Sequence, residues 1–148
     1  MNEVFGVLPC LRAELLDLFK HGTPIDAWRI RDIPRLDTWS RGKAVLMGDA
    51  AHAVTPHAGH GCNLTIEDAE ALGVLLRDVN NASQLHGVFE RFHELRRERA
   101  DIVASRSHQL AGIRVDDYAG SDVAPVGPEE FSKIMHSYLG LGAMLKPA

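Results

Sequence analysis

Long apolar runs are missing from this chain of 148 residues. No stretch approaches the ~20 residues that a membrane-spanning helix requires, so no membrane association is expected. Cysteine is scarce. Cys10 and Cys62 are too few for a disulfide framework, and reduced thiols in a cytoplasmic protein are the expectation. Positive charge is not in excess either. Sixteen Lys and Arg against twenty Asp and Glu give a formal net charge of −4, so no broad basic surface points to nucleic acid. A basic segment leading into a signal-type apolar core is lacking after Met1, which argues against a secreted product. A Gly-x-Ser-x-Gly elbow is absent, and Ser40, Ser83 and Ser105 lie in ordinary contexts, so a serine hydrolase is not indicated. Internal repeats are absent too. What is present, 45% hydrophobic and 24% charged residues, is the composition of a globular domain large enough for a core.

The informative stretch runs from Ala44 to Asp68. Ala44-Val-Leu-Met47 is apolar and long enough for a short buried strand ending at Gly48. Asp49 follows at the strand's C-terminal end, where open α/β sheets place ligand contacts. Pro56, Gly59 and Gly61 then mark a turn-rich segment able to bring main chain close to a ligand. From about Asn63 the pattern turns helical, with Leu64, Leu72, Leu75, Leu76 and Val79 mainly on one stripe. A strand, an acid, a glycine loop and a helix N-terminus together make a polar cradle. It suits an electron-rich or anionic group.

Gly48-Asp49-Ala-Ala-His52, Pro56, Gly59-x-Gly61 and Ile66-Glu67-Asp68-Ala69 resemble the second flavin-binding motif of the single-component FAD-dependent aromatic hydroxylases, of the salicylate and p-hydroxybenzoate hydroxylase type. The similarity extends roughly from Trp28 to Arg77. It implies FAD as cofactor, NAD(P)H as reductant, and hydroxylation of an activated aromatic ring. By the same resemblance, Asp49 holds the ribityl chain and Pro56 lies against the isoalloxazine ring. Gly48 belongs to the Gly-Asp pair, while Gly59 and Gly61 allow close approach of main chain. The amides of Gly61, Cys62 and Asn63 would face the part of the ring that gains negative charge on reduction. A helix N-terminus there contributes about 0.3–1 kcal/mol when exposed and up to ~2 when partly buried. This is electrostatic assistance rather than acid–base catalysis, and no catalytic residue is assigned.

The glycine-rich Gly-x-Gly-x-x-Gly turn that holds the FAD pyrophosphate in such hydroxylases does not occur in this sequence, nor does their Asp-Gly pair followed by Ser and Arg. The expected fold is therefore α/β, a partial FAD-binding, Rossmann-like domain with few strands and long C-terminal helices. The chain would be the C-terminal part of a larger flavoprotein: a truncated product, an incomplete gene prediction or an excised piece. Residues 1–33 are expected to carry a helix and the last strand of a substrate-binding domain, 34–82 the flavin motif and its helix, and 83–148 a helical region. A missing N-terminal part or a second copy in a homodimer are the partners compatible with this division. The alternative is a non-enzymatic remnant or helical interaction module that does not bind FAD alone.

Elsewhere, Leu8 to Lys20 has the spacing of an amphipathic packing helix stopped by Gly22 and Pro24, and Trp28 to Ile33 alternates as a half-buried strand does. Trp28 and Trp39 read as core or interface aromatics rather than ligand stackers. A long helix is expected after Ser83, its N-cap, with Leu85, Val88, Phe89, Phe92, Leu95, Ile102, Val103, Leu110 and Ile113 at helical spacing. Its Glu94-Leu-Arg-Arg-Glu-Arg99 run reads as a solvated face, and Glu67 and Asp68 as residues supporting a helix start. Asp116 to Gly127 reads as a loop. Pro128 opens a last helix whose sticky face is Phe131, Ile134, Met135 and Tyr138, ended by Gly140 and Gly142. His52, His57 and His60 match no metal-binding spacing. His52 is expected to pack or hydrogen-bond, and His60 stands where the hydroxylases often carry glutamine. Cys62 is read as inert.

Overall fold

A computed structural model describes residues 21–22, 29–112, 126–140 and 142. Two short strands, β1 (Ser40–Arg41) and β2 (Ala44–Val45), pair antiparallel with Ser40 opposite Val45 and Arg41 opposite Ala44. Gly42, at φ 62°, turns the chain between them. A one-turn helix α1 (Asp49–His52) follows, then a 3-10 turn at Pro56–Ala58 and helix α2 (Gly61–Leu76). A second 3-10 turn at Ala82–Gln84 leads into the 26-residue helix α3 (Leu85–Leu110), and α4 (Pro128–His136) comes last.

Helix α3 is the spine, about 39 Å long at 1.5 Å per residue. Its inward line is Phe89, Phe92, Arg96, Ala100, Val103 and Ser107, spaced by three and four and all buried. Helix α2 answers with Leu64, Asp68 and Ala71. Helix α4 adds Phe131 and Met135, and the β1 end contributes Trp39, which packs its ring 5.8 Å from Phe92. The proline start of α4 with Glu129 and Glu130 in its first turn, and the core placement of Trp39, follow the sequence expectation.

Several boundaries differ. The strand expected up to Met47 is only Ala44–Val45, and its partner is the two-residue strand Ser40–Arg41 just before it. The mixed α/β character is present, but the sheet is this hairpin; among the described residues no parallel strand lies beside it. Residues 29–33 form no strand, because a strand exists through pairing and no partner strand lies alongside among the described residues. Side chains and one main-chain bond fix that segment instead. The Ile33 amide donates to the Ala53 carbonyl at 3.1 Å, Asp32 meets His108 of α3 at 2.5 Å, and Arg35 donates to Asp101 at 3.0 Å.

Ser83 does not cap the long helix, whose N-cap position is Gln84 without a side-chain bond; Asn81 caps the 3-10 turn that leads into it. The Asn81 side chain accepts the Ser83 amide at 2.9 Å while Gln84 reaches back to the Asn81 amide at 3.1 Å, a reciprocal box that first closes a 3-10 turn. Helix α2 starts at Gly61 rather than Asn63. Leu110 is half exposed although its spacing placed it inward. The expected helix at 8–20, Cys10, Trp28, Ile113 and most of the loop at 116–127 lie outside the described residues. No described helix is long and apolar enough to cross a membrane.

Phe92 is fully buried where α3 meets Trp39. Phe92→Ala is expected to destabilise the fold by about 3–5 kcal/mol, read as a lower denaturation midpoint with an unchanged slope.

Candidate functional site

Gly48 is buried, with φ 57° and ψ −141°, a conformation that side-chain-bearing residues rarely adopt. A Cβ there would lie 2.8 Å from Thr65 Oγ1 of α2. The Gly48 carbonyl accepts the amides of Ala51 and His52 at 2.9 Å each, so the glycine's main chain caps α1. Asp49, the next residue, opens that helix rather than capping it. Its carboxylate is exposed and has no hydrogen-bond partner among the described residues.

Pro56 is exposed and begins the 3-10 turn, and Gly59 closes it at φ 69° with its amide on the Pro56 carbonyl at 2.9 Å. The turn is clipped to the spine by fully buried Ser107. Its hydroxyl donates to the Thr55 carbonyl at 2.5 Å and accepts the Ala58 amide at 3.1 Å. His60 is the residue before α2. Its Nδ1 lies 2.6 Å from the Ala58 carbonyl, so that nitrogen carries the donated proton, and its ring meets Phe131 of α4 edge-on at 5.1 Å.

Gly61, Cys62 and Asn63 are the first three residues of α2, and their amides have no acceptor among the described residues. No side chain caps this end and no acid stands in its first turn; the Leu64 amide is the first to find a carbonyl, on His60 at 3.0 Å. Cys62 and Asn63 are exposed, and Cys62 is a free thiol. A Cβ on Gly61 would meet only Val54, at an ordinary 3.7 Å, and one on Gly59 would meet nothing within 4 Å. The glycines at 59 and 61 thus leave space that no described residue fills. An exposed acceptor carboxylate suits ligand hydroxyl groups, and a row of donor amides with no acceptor among the described residues suits an electron-rich, amide-like edge.

Beneath this surface lies a charge network. Asp68 is fully buried on α2, and Arg96 is 2% exposed on α3. Arg96 Nε donates to Asp68 Oδ1 at 2.7 Å and its Nη2 to Glu67 Oε2 at 2.7 Å. Asp68 Oδ2 accepts the Gly48 amide at 3.0 Å and stands 2.6 Å from His52 Nε2. Arg99 grips Glu67 with two bonds, at 2.5 and 2.7 Å, and donates to the carbonyls of Ile134 at 2.8 Å and Met135 at 3.0 Å at the end of α4. The Tyr138 ring faces both guanidiniums, 5.3 Å from Arg96 and 4.9 Å from Arg99, and its hydroxyl donates to Glu70 at 2.9 Å.

Residues 20–107, more than half of the chain, match the family described as FAD binding domain. The chain belongs to that family. It is 34% identical over 108 residues to a hispidin-3-hydroxylase of Neonothopanus nambi, covering 73% of this chain and 26% of that protein. It is 42% identical over 87 residues to a salicylate hydroxylase of Pseudomonas putida, covering 58% and 20%. A third relative, the FAD-dependent monooxygenase paxM of Penicillium paxilli, is 36% identical over 87 residues, covering 53% and 18%. The chain spans less than a third of the length of each of these relatives. The resemblance to FAD-dependent hydroxylases holds, and the cofactor it implies is FAD.

The residues of this FAD-binding domain that sequence reasoning undervalued are Asp68, Arg96, Arg99 and Ser107. Glu67 and Asp68 are ion-pair partners of another helix rather than mere supports for their own. Glu94 and Glu98 are exposed as expected, but Arg96 is not part of a solvated face. The available signal was position: Arg96 falls in line with Phe92 and Ala100, and Asp68 with Leu64 and Ala71.

Burial pushes the Asp68 carboxyl up, but hydrogen bonds from His52, Arg96 and the Gly48 amide outweigh it and hold the group below the usual carboxylate range. Burial likewise opposes the Arg96 charge, and its bonds to Asp68 and Glu67 more than restore it. A carboxyl depressed in the folded state stabilises the fold above its unfolded value of about 3.9 and loses that contribution as pH falls through the lower folded value. Acid titration of stability is therefore expected to keep falling below the ordinary carboxylate range. At the other extreme, burial and the bond to Glu70 push Tyr138 up to about 12. Its contribution is complete below the unfolded value of about 10 and disappears as pH rises toward the folded one. Phenolate absorbance of Tyr138→Phe against the parent chain checks this; loss of a late-titrating component is the expected difference.

Proposed function

We propose that this chain carries the isoalloxazine- and ribityl-facing part of the FAD site in an NAD(P)H-dependent flavoprotein monooxygenase that hydroxylates an aromatic or related small molecule. Two observations carry the reading: the exposed Asp49 carboxylate, unpartnered among the described residues, and the uncapped first turn of α2. Gly48 lies against Thr65 of that helix, which ties the residue before Asp49 to α2 and supports reading the two features as one site.

In this reading Asp49 accepts hydrogen bonds from ribityl hydroxyls, and Pro56, with its fixed φ, forms a stiff wall for the ring. Gly59 and Gly61 leave room for the ring edge. The amides of Gly61, Cys62 and Asn63 face the edge that becomes electron-rich on reduction, favouring the reduced flavin over the oxidised one. When bound, the flavin supplies the electron transfer from nicotinamide and the activation of oxygen; this chain binds, orients and biases it. The segment at 34–82 would be the motif-bearing part of a Rossmann-like layer, with 83–148 as the helices that brace it.

A second reading is favoured by the lack of a Gly-x-Gly-x-x-Gly turn in this sequence. Without a pyrophosphate cradle much of the FAD-binding free energy is missing, so this polypeptide alone would bind FAD weakly and turn over nothing. Yellow purified protein that consumes NADPH would overturn that reading.

Titration with FAD is expected to shift the amide resonances of Asp49, Cys62 and Asn63 and few others. Asp49→Ala should weaken binding by roughly 10-fold or more, the loss of hydrogen bonds to a charged acceptor. Gly61→Ala should leave thermal stability nearly unchanged, since its Cβ has room, yet weaken FAD by about 10-fold through the lost approach. An FAD affinity unchanged from the parent chain in both variants would remove the site.

A further inference from the structure

Helix α1 has only four residues, too few to be stable by its own hydrogen bonds. It nevertheless carries Asp49 at its first position, with that side chain making no bond that could hold the turn. Something outside the segment has to fix it. One atom touches both ends. Asp68 Oδ2 accepts the amide of Gly48, the residue before α1, at 3.0 Å and lies 2.6 Å from Nε2 of His52, its last residue.

We propose that Asp68 is a positioning residue of the flavin site: its buried carboxylate clamps both ends of α1 and thereby sets the direction in which Asp49 is presented. This rests on the flavin reading above. The clamp is built in layers. Arg96 occupies Asp68 Oδ1 at 2.7 Å, which leaves Oδ2 to face Gly48 and His52. The Gly48 amide points inward to that oxygen while its carbonyl accepts Ala51 and His52, so the peptide groups on both sides of the glycine are fixed. Asp49 follows directly, and the orientation of its Cα–Cβ bond is determined by that geometry. The φ of 57° at Gly48 and the contact with Thr65 remove the alternative backbone paths.

The asymmetric use of the two carboxylate oxygens makes the role testable. In Asp68→Asn the remaining oxygen is drawn to Arg96, which turns the amide NH2 toward the Gly48 N–H, donor against donor. In the double variant Asp68→Asn with Arg96→Gln, the guanidinium no longer claims that oxygen. The side-chain amide at position 68 is then able to turn its oxygen to Gly48 and its NH2 to the side-chain carbonyl at position 96. Glu67→Gln weakens the same arginine cluster without touching Gly48 and is the control.

The experiment records amide exchange at Gly48 and FAD-induced shifts at Asp49, Cys62 and Asn63 in the full chain. The wild-type Gly48 amide is expected to be protected from exchange. Asp68→Asn should speed its exchange and weaken FAD by ~10-fold, the scale of one lost charge-assisted hydrogen bond. The double variant should recover most of both although the buried ion pair is gone, and Glu67→Gln should leave FAD affinity as it was. An unprotected Gly48 in the wild-type chain overturns the proposal, even if Asp68→Asn does not fold. So does a folded double variant without recovery, or an equal loss in Glu67→Gln. Absence of any FAD-induced shift in the wild-type chain removes the flavin reading and this role with it; an Asp68→Asn chain that responds to FAD like wild type removes only the positioning role.

Discussion

The rest of the fold depends on one buried contact, the Asp68 carboxylate against the Arg96 guanidinium. Burying either charge alone is strongly unfavourable, and the attraction between them repays this only when the remaining donors and acceptors are also satisfied. Here they are. Asp68 is met by Arg96, His52 and the Gly48 amide, and Arg96 reaches Glu67 and lies over Tyr138. Such a pair adds little over well-packed apolar residues, but it restricts which arrangements are allowed. Sliding α3 along α2 by one turn, about 5.4 Å, would keep apolar contacts and strand both charges. The pair therefore specifies register more than it supplies stability.

From that contact the constraints spread in two directions. Toward the N-terminal side, Asp68 reaches the turn that carries Asp49, and Ser107, eleven residues after Arg96 on the same helix, clips the Pro56 turn. Both segments of the candidate flavin surface are thus hung on the same rigid spine, a sound way to hold loops that lack regular structure of their own. Toward the C-terminal side, Arg99 caps the carbonyls at the end of α4, and Phe131 of that helix rests on the His60 ring at the start of α2. The C-terminal helix is consequently tied to the same frame, and His60, the residue before the amides of Gly61 to Asn63, touches it.

What the sequence makes legible is what local periodicity encodes. The spans of α2, α3 and α4 follow from apolar spacing, and the proline-acid start of α4 is a local signal. The hairpin leaves little local trace, because Ser40–Arg41 is polar and two residues long and carries no alternation. The candidate site was found through a dense motif between Gly48 and Asn63, a resemblance and not a deduction from periodicity. What braces that motif stayed hidden for a physical reason. Asp68 lies 20 residues from Gly48, and Ser107 about 50 from the turn it holds, so no local pattern links them. A string of alternating charges such as Glu94 to Arg99 has the signature of a solvated surface, and only the line from Phe92 through Arg96 to Ala100 betrays the inward member.

The glycines separate what the protein needs for itself from what it leaves open. Gly48 is demanded internally: its φ is positive and Thr65 occupies the place of a Cβ. Gly61 is not. It has no positive φ, and a Cβ would make an ordinary contact with Val54. Packing among the described residues gives no reason for glycine there, nor for leaving the first turn of α2 without a cap when a serine or aspartate before it would stabilise the helix. Both choices forgo stability in the folded chain. They become intelligible together if the missing cap is a ligand atom and the missing methyl group makes room for it, which joins the backbone economy of this turn to the flavin surface proposed around Asp49.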